Sequence, residues 1–314
     1  MKQEELIAIS GIVDDLKANP LSRSQRLLAL SIGALKSMVS RRPKDKKPVY
    51  DVAIVAIAKN EREYIREWVS YHKVIGINKI YLYDNDSTDG MVEEIEDYID
   101  SGYVVLEKIP GKKMQLRAYN LALNKYGKEC AYMAFIDCDE FICPLEKGFT
   151  IKEMLDSRCM SHSNAGGVAL NWCMFGSSGY EEKPKGLLID NFIWRAKLPE
   201  GRGNDYIKTI VRPECVKKFN HVHFPYYKAG YCSYDMNGNP VAGASNSISE
   251  YKNLRINHYF TKSKQQWIAR RSLGMADKDG TRTLDEFKMH DNNDVHDECI
   301  RVYSNEVKKL MGNL

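Results

Sequence analysis

The chain has 314 residues, enough for one large α/β domain or two modest ones with a substantial buried core. Its formal net charge of +4 at pH 7 is small for this length, and gives no support for nucleic acid as a principal partner. The eight cysteines are scattered without a Cys-x-x-Cys pair, so we expect reduced thiols and a cytoplasmic protein. We also expect neither a signal peptide nor a membrane-spanning segment, because no apolar stretch is long enough.

Residues 1–48 are predicted to form a helical extension with a basic linker, ahead of one domain at 49–314. The stretch 27–39 is mostly apolar and indicates a helix. Such a helix, followed by basic residues, can lie on an anionic membrane surface or pack on the domain or a partner chain. We favour packing, because the polar face of the helix is not strongly basic, and keep peripheral membrane contact as the alternative. The basic residues of the linker are Arg41, Arg42, Lys44, Lys46 and Lys47.

From residue 49 onward, apolar strands alternate with amphipathic helices. The run Asp51–Ala58 predicts a strand covered on both faces, and Asn60 with Glu63 predicts the N-cap and capping box of the next helix. This spacing predicts βαβ crossovers and a mostly parallel sheet, whose ligands bind beyond the carboxyl ends of the strands. The further predicted strands are 79–83, 103–108 and 131–136, and the predicted helices are 64–75, 91–99, 114–125 and 283–311.

Two aspartates directly follow the fourth strand, in the sequence Asp137-Cys138-Asp139-Glu140-Phe141. Residues two apart in extended backbone project to the same side, so Asp137 and Asp139 are predicted to hold one cation, with Cys138 pointing into the protein. Carboxylate oxygens suit Mg²⁺ or Mn²⁺, and such ions keep coordination sites for substrate phosphates. An Asp-x-Asp sequence is common by chance, but its position after a buried strand favours a metal site.

A second polar segment, residues 84–90, follows the second strand with the sequence Asp-Asn-Asp-Ser-Thr-Asp-Gly. These residue types form turns and helix caps, which is the simplest interpretation. The alternative is that a carboxylate, most readily Asp84, accepts a hydrogen bond from a nucleobase or ribose. The segment lacks the glycine patterns of dinucleotide-binding and P-loop sites, and an EF-hand is excluded because Ile95 stands at loop position 12.

Three segments together resemble glycosyltransferase family 2 and its relative, family 92. They are Val55–Glu61, Tyr83–Asp89 and Phe135–Phe141. Later segments at 172–179, 207–213 and 257–263 favour the family 92 branch. The resemblance extends from residue 52 to the C-terminus. It implies a GT-A fold, with a mostly parallel central sheet flanked by helices, and a UDP-sugar as donor.

The resemblance also implies a metal site and a nucleotide site. It assigns Asp137 and Asp139 to the metal–diphosphate site. His258 matches a C-terminal histidine that completes the metal shell in GT-A enzymes, although a hydrogen-bonded strand histidine is an equally good interpretation. An imidazole ligand favours Mn²⁺ over Mg²⁺. The nucleoside pocket is assigned to Ala58, Asn60 and Asp84.

Further side chains are candidates for neutralising the diphosphate and for activating the acceptor. Leaving-group charge must be stabilised, for which the second half offers Lys208, Arg212, Lys262 and Arg270. The resemblance is to inverting families, which need a group that deprotonates the acceptor hydroxyl. Asp205 is our first choice, and Asp190, Glu181 and Glu182 remain alternatives. The aromatic residues Trp172, Phe175 and Trp194 are candidates for an acceptor platform, or else for core packing.

We therefore predict a metal-dependent, inverting glycosyltransferase that moves a sugar from a UDP-sugar to a glycan, glycolipid or glycoprotein, as in polysaccharide biosynthesis. One alternative is a nucleotidyltransferase that makes nucleotide sugars, and another is a non-catalytic carbohydrate-binding protein. A nucleotidyltransferase usually carries a glycine-rich basic loop after the first strand, where this chain has Ala58-Lys59-Asn60-Glu61. The intact pair Asp137 and Asp139 counts against a non-catalytic protein.

Overall fold

The computed structural model describes residues 2–12, 21–39, 47–198, 203–271 and 283–312. The first part contains α1 (Gln3–Ser10), α2 (Arg23–Met38), β1 (Tyr50–Ala58), α3 (Arg62–Val74), β2 (Lys79–Asp84), α4 (Glu96–Asp100), β3 (Val104–Lys108), α5 (Gln115–Tyr126), β4 (Cys130–Phe135), β5 (Glu140–Pro144), α6 (Ile151–Met160) and β6 (Ala165–Met174). The second part contains α7 (Leu188–Asn191), β7 (Trp194–Arg195), β8 (Ile207–Val211), β9 (Val216–Phe219), β10 (Pro225–Tyr227), β11 (Cys232–Asp235), β12 (Pro240–Val241), β13 (Leu254–His258), α8 (Lys264–Arg271), α9 (Leu284–His290), β14 (Val295–His296) and α10 (Ser304–Met311).

The central sheet has the strand order β12-β11-β6-β8-β4-β1-β2-β3. Strands β1 to β4 are parallel to one another where they pair, and β8 enters antiparallel between β4 and β6. Strand β13 pairs parallel with β6 and antiparallel with β5. The predicted α/β fold, with a mostly parallel central sheet flanked by helices as in GT-A proteins, is confirmed. Every antiparallel pair among the described strands includes at least one strand that follows β4.

Strand β1 is buried on both faces, as its continuous apolar sequence predicts. Alternate residues point to opposite faces, so Ile54 and Ala56 pack with Trp68 of α3, whereas Ala53 and Val55 pack with α5. Each fully buried large apolar side chain contributes roughly 1.5–3 kcal/mol relative to an exposed one. This packing holds the carboxyl ends of β1, β2 and β4 in a fixed position at one edge of the sheet.

Three predicted local structures are wrong in detail. Asn60 is not an N-cap, because α3 is capped at Glu61 without a side-chain bond and Asn60 has a left-handed backbone with φ of 55°. The predicted helix at 91–99 begins as a 3-10 turn at Glu93–Ile95 and continues as α4. The predicted helix at 283–311 is divided into α9, the short strand β14, a 3-10 turn and α10, because β14 pairs with β7.

The N-terminal extension forms a hairpin of α1 and α2. At Gly33 of α2 the two backbones approach so closely that a Cβ atom would lie 1.9 Å from the Leu6 carbonyl oxygen. The hairpin packs on the edge of the sheet through α1, where the Tyr234 hydroxyl donates to Glu5 at 3.3 Å. Residues 40–46 of the predicted linker lie outside the described residues, and the domain boundary at 48 stays a prediction. No helix in the described ranges combines the length and apolar character needed to cross a bilayer.

Candidate active site

The carboxyl ends of β1 and β2 bring the predicted nucleoside residues together. Ala58 and Asp84 are paired residues at the ends of these strands, and the Asn85 amide donates to the Ala58 carbonyl at 2.8 Å. Asp84 is buried and accepts from the Ser87 amide at 3.0 Å. The Asn60 side chain accepts from the Thr88 amide at 2.8 Å, which explains its left-handed backbone. The polar turn after β2 is thus built against the loop after β1.

Asp137 and Asp139 lie in a turn rather than in the extended backbone that we expected, and their holding one cation together stays a prediction. The chain turns here, with the Glu140 amide donating to the Asp137 carbonyl at 3.1 Å. Asp137 instead accepts from Gln115 of α5 at 2.6 Å and from Lys208 of β8 at 2.9 Å. The turn sends the two carboxylates to different partners. Cys138 is buried, as predicted.

Lys208 is almost fully buried, and it binds carboxylates rather than an open surface. Its amine lies 2.9 Å from Asp137 and 3.6 Å from Glu140. Burial opposes its charge, but the two carboxylates raise the pKa of Lys208 well above its usual value. Burial raises the pKa of Glu140, and one oxygen of that side chain, Oε1, has no described hydrogen-bond partner. Lys208 therefore holds Asp137 in place, and its predicted contact with the diphosphate stays a prediction.

Asp139 lies among positively charged and imidazole groups. Its Oδ1 is 3.5 Å from His258 Nε2, and its Oδ2 accepts from Arg270 at 3.3 Å. Burial raises its pKa, but His258, Arg270 and Lys262 outweigh burial and hold the pKa of Asp139 well below its usual value. Asp139 is therefore an ionised carboxylate inside the protein.

The two cations near Asp139, Arg270 and Lys262, both come from the segment after β13. Arg270, with a fifth of its side chain exposed, also binds Glu61 at 3.3 Å. The buried Lys262 amine lies 3.8 Å from Glu61 and 4.7 Å from the centre of the Tyr64 ring. Burial and the neighbouring Arg270 lower the pKa of Lys262. Of these two cations, Arg270 has the better access to a ligand.

The structure brings His258 and Asp139 together, while Asp137 is held by Lys208. Within the described ranges, no three His, Cys, Asp or Glu side chains form a group that could hold a metal by themselves. Metal–ligand bonds of about 2.0–2.3 Å are compatible with ligand atoms roughly 3–4 Å apart, which the Asp139–His258 spacing matches. Asp139 and His258 therefore fit an ion whose other positions are filled by phosphate and water. The three-residue metal shell that includes Asp137 stays a prediction.

An aromatic wall stands beside His258. The Trp172 ring lies 4.3 Å from the His258 ring, 5.4 Å from Tyr206 and 5.0 Å from His223. Tyr206 is nearly half exposed, so this wall is open to a ligand. Phe175, by contrast, is buried in the core, and the Trp194 ring contacts His296 where β7 pairs with β14.

The candidate bases have different surroundings. Asp205 directly precedes Tyr206 of the aromatic wall, and its carbonyl accepts from the Asn246 amide at 2.7 Å. Asp190 accepts a hydrogen bond from Ser304 at 2.5 Å and forms an ion pair with Lys308 at 2.6 Å. Both partners belong to α10, so these contacts hold α10 against α7. Glu181 pairs with Lys264 at 2.8 Å at the surface, and Glu182 is exposed. Asp190 and Glu181 are already held in ion pairs, and the choice of Asp205 as the base stays a prediction.

Sequence reasoning missed two residues of this site. Gln115 and Glu61 are ordinary polar residues at the starts of predicted helices, and their contacts with Asp137 and Arg270 join distant parts of the chain. Glu61 follows the end of β1 by three residues, which is a sequence signal that marks it, whereas Gln115 is the first residue of α5 and has no such signal. Glu140 belongs to the motif itself but was given no role.

Comparisons with known proteins agree with this architecture. The profile of glycosyltransferase family 92 matches residues 52–303. A family 92 protein of Ricinus communis is 29% identical over 186 residues, which are 58% of this chain and 32% of that protein. One of Arabidopsis thaliana is 26% identical over 201 residues, 61% of this chain and 34% of that protein. The chain thus spans about one third of the length of these relatives.

Among solved structures, the chain is similar to S. aureus TarS 1–349 in complex with UDP-GlcNAc. The two are 14% identical, with a TM-score of 0.38 over 71% of this chain and 65% of that chain. The family profile, by contrast, covers most of the chain and includes every motif at the strand ends. The chain belongs to glycosyltransferase family 92.

Proposed function

We propose that this protein is a metal-dependent, inverting glycosyltransferase that uses a UDP-sugar as donor and a glycan, glycolipid or glycoprotein as acceptor. The observation that carries the proposal is a cluster of three side chains beside the ends of β1 and β2. Asp139 follows β4, His258 ends β13, and Arg270 belongs to α8. Ligands of open parallel sheets bind at this edge. The family membership supports sugar transfer over the nucleotidyltransferase and non-catalytic alternatives.

The donor is proposed to lie across the ends of β1, β2 and β4. The turn after β2, with Asp84 and Asn60 at its base, offers polar groups for the nucleoside. The diphosphate then reaches Arg270, whose guanidinium forms charge-assisted hydrogen bonds with anionic oxygens. Lys262 adds positive charge from its buried position. Lys208, which we predicted to bind the donor, acts through Asp137 in this proposal.

Asp139 and His258 are proposed to hold Mn²⁺ or Mg²⁺, and the mixed oxygen and nitrogen donors favour Mn²⁺. A bound ion acts as a Lewis acid that stabilises charge on the departing diphosphate. Arg270 shares that task, since it lies within hydrogen-bonding distance of Asp139 and remains partly exposed. The His258 ring is fixed against Trp172, which limits its rotation.

The acceptor is proposed to enter along the aromatic wall. A sugar ring stacks its apolar face on Trp172 or Tyr206, which would direct one hydroxyl toward the donor. Inversion requires a base that takes the proton from this hydroxyl, and Asp205 is our candidate because it adjoins Tyr206. Polysaccharide biosynthesis is one process that uses such a reaction.

We also propose a cytoplasmic location. Cys143 and Cys299 form no disulfide bond, and their sulfur atoms are 3.4 Å apart. Thiols so close together stay reduced in a reducing compartment.

The proposal is tested by ligand-dependent thermal unfolding. A ligand that binds only the folded state stabilises it by about 2.7 kcal/mol at a concentration 100 times its Kd. We expect UDP to raise the Tm in Mn²⁺ but not in EDTA, and we expect Asp139→Asn to abolish the increase. Asp156→Asn, on α6, is the matched control and should keep it. If neither UDP nor GDP changes the Tm in Mn²⁺, the proposed donor class is wrong.

A further inference from the structure

The outer face of α2 is apolar and exposed. Leu27, Leu28, Leu35, Met38 and Val39 each have more than half of their surface accessible. The opposite face, with Ala29 and Gly33, is buried against α1.

The close backbone contact at Gly33 fixes the rotation of α2. A side chain cannot be accommodated there without moving the Leu6 backbone, so the helix cannot roll to bury its leucines. The exposed leucines are therefore a consequence of how the hairpin packs. Contiguous exposed apolar surface of this kind marks an interaction site.

The charged residues of α2 itself are all basic. Helix α2 contains Arg23, Arg26 and Lys36 and no acidic residue. The sequence that follows, residues 40–48, has five basic residues and one acidic residue. An apolar helix face beside basic residues is complementary to an anionic lipid surface, which offers both acyl chains and phosphate groups. A second copy of the chain would instead bring positive charge against positive charge.

A cavity of about 350 Å³ adjoins α2, and all of its charged lining residues are lysines. Lys36, Lys217 and Lys228 line it, together with the aromatic rings of Tyr226 and Tyr231. Lys36 donates to the Ser10 carbonyl at 2.6 Å, which directs its amine to the cavity side of the hairpin. Burial and repulsion from Lys217 lower the pKa of Lys36. An anion bound between the two amines would offset this repulsion and stabilise the charged form of Lys36.

We propose that α2 docks on an anionic phospholipid surface, with its apolar face in the interface and a lipid phosphate in the lysine-lined cavity. Both features involve α2: Leu35 belongs to its exposed apolar face, and Lys36, one residue further and roughly 100° around the helix, lines the cavity. The proposal does not depend on the glycosyltransferase activity. It describes a protein that lies on a membrane rather than one that crosses it.

Vesicle co-sedimentation of the full chain tests the proposal. We expect binding to phosphatidylcholine vesicles that contain about 30 mol% phosphatidylglycerol, and at least tenfold weaker binding to pure phosphatidylcholine. The double substitution Leu28→Ser/Leu35→Ser should weaken binding at least tenfold without lowering the Tm, since both side chains are exposed. Phe149→Ser removes an equally exposed aromatic residue far along the chain and should leave binding unchanged.

The cavity is tested by Lys217→Gln, with the exposed Lys128→Gln as a matched control. We expect Lys217→Gln to weaken vesicle binding several-fold more than Lys128→Gln does, and we expect about 0.5 M salt to remove this difference. Inorganic phosphate and glycerol phosphate should compete only weakly at millimolar concentration. Strong competition by either would show that the cavity takes a soluble phosphate, and would overturn the lipid assignment.

Two further outcomes would overturn the proposal. One is equal binding to neutral and anionic vesicles, or no binding to either. The other is a stable dimer in light-scattering measurements that Leu28→Ser/Leu35→Ser converts to a monomer, which would assign the apolar face to a second copy of the chain.

Discussion

Replacing Lys208 with methionine distinguishes a positioning role from a phosphate-binding role. The Lys208 side chain is 1% exposed, and its amine on β8 lies between the carboxylates of Asp137 and of Glu140 on β5. Methionine has a similar length and keeps the apolar contacts of the lysine stem, so the variant removes mainly the charge. If Lys208 positions Asp137, the protein without ligand must lose stability. If Lys208 serves only to bind phosphate, the protein without ligand must keep its stability.

The magnitude follows from the two partners. Removing one member of a buried ion pair costs about 3–5 kcal/mol, because the remaining charge is left uncompensated. Asp137 is about one third exposed and can be rehydrated, whereas Glu140 is fully buried and must take up a proton. We therefore expect a loss near the lower limit, about 3 kcal/mol, which lowers the Tm by about 5 °C in a domain of this size.

Urea unfolding and thermal unfolding without nucleotide measure this loss. The double variant Lys208→Met/Glu140→Gln should recover part of the stability, because glutamine carries no charge. Lys128→Met, at an exposed site, is the control and should change the free energy of unfolding by less than about 0.5 kcal/mol. A Lys208→Met protein with unchanged stability but weaker UDP binding would refute the positioning role.

Three other predictions follow from particular contacts. Arg270→Ala should weaken UDP binding about tenfold in calorimetry but leave uridine binding unchanged, because it removes a charge-assisted contact to the diphosphate; equal losses for both ligands would contradict this role. Burial raises the pKa of Glu67 to about 7, above its unfolded value of 4.5, so its stabilising contribution is complete below pH 4.5 and is lost as the pH rises to 7. Urea unfolding should then show wild type losing about 3 kcal/mol relative to Glu67→Gln between pH 4.5 and 8, and parallel pH curves would exclude the shift. Gly33→Ala should cost about 1–3 kcal/mol and expose α1 to proteolysis, because its Cβ meets the Leu6 carbonyl, whereas Ser31→Ala on the outer face should not.

The sheet was predictable because its signals are local. The apolar run of β1 and the polar turn after β2 specify a strand and its end within ten residues, and their pairing follows from the βαβ repeat. The same reasoning predicted that Asp84 and Ala58 would lie at one edge of the sheet. It failed at Asn60, where turn contacts with Thr88 prevail over the preference of asparagine for helix caps.

The electrostatics of the site was not predictable from spacing. Asp137 and Asp139 are two residues apart, but their partners Lys208 and Arg270 lie 71 and 131 residues further along the chain. Which cation meets which carboxylate depends on the antiparallel insertion of β8 and on the position of α8. The Asp-x-Asp motif therefore indicated where the carboxylates lie, but not which cation binds each of them. Lys208, one of the cations predicted to bind phosphate, lies beside two carboxylates in the structure.

The central claim is that sugar transfer from a nucleotide donor takes place at Asp139 and His258. Release of the nucleotide from a panel of UDP-sugars, measured with Mn²⁺ and with EDTA, tests it most directly. We predict that at least one UDP-sugar is hydrolysed in Mn²⁺, that EDTA suppresses this, and that Asp139→Asn lowers the rate about 100-fold while the protein stays folded. Release that is unaffected by both EDTA and Asp139→Asn, or no release from any UDP- or GDP-sugar, would contradict the claim.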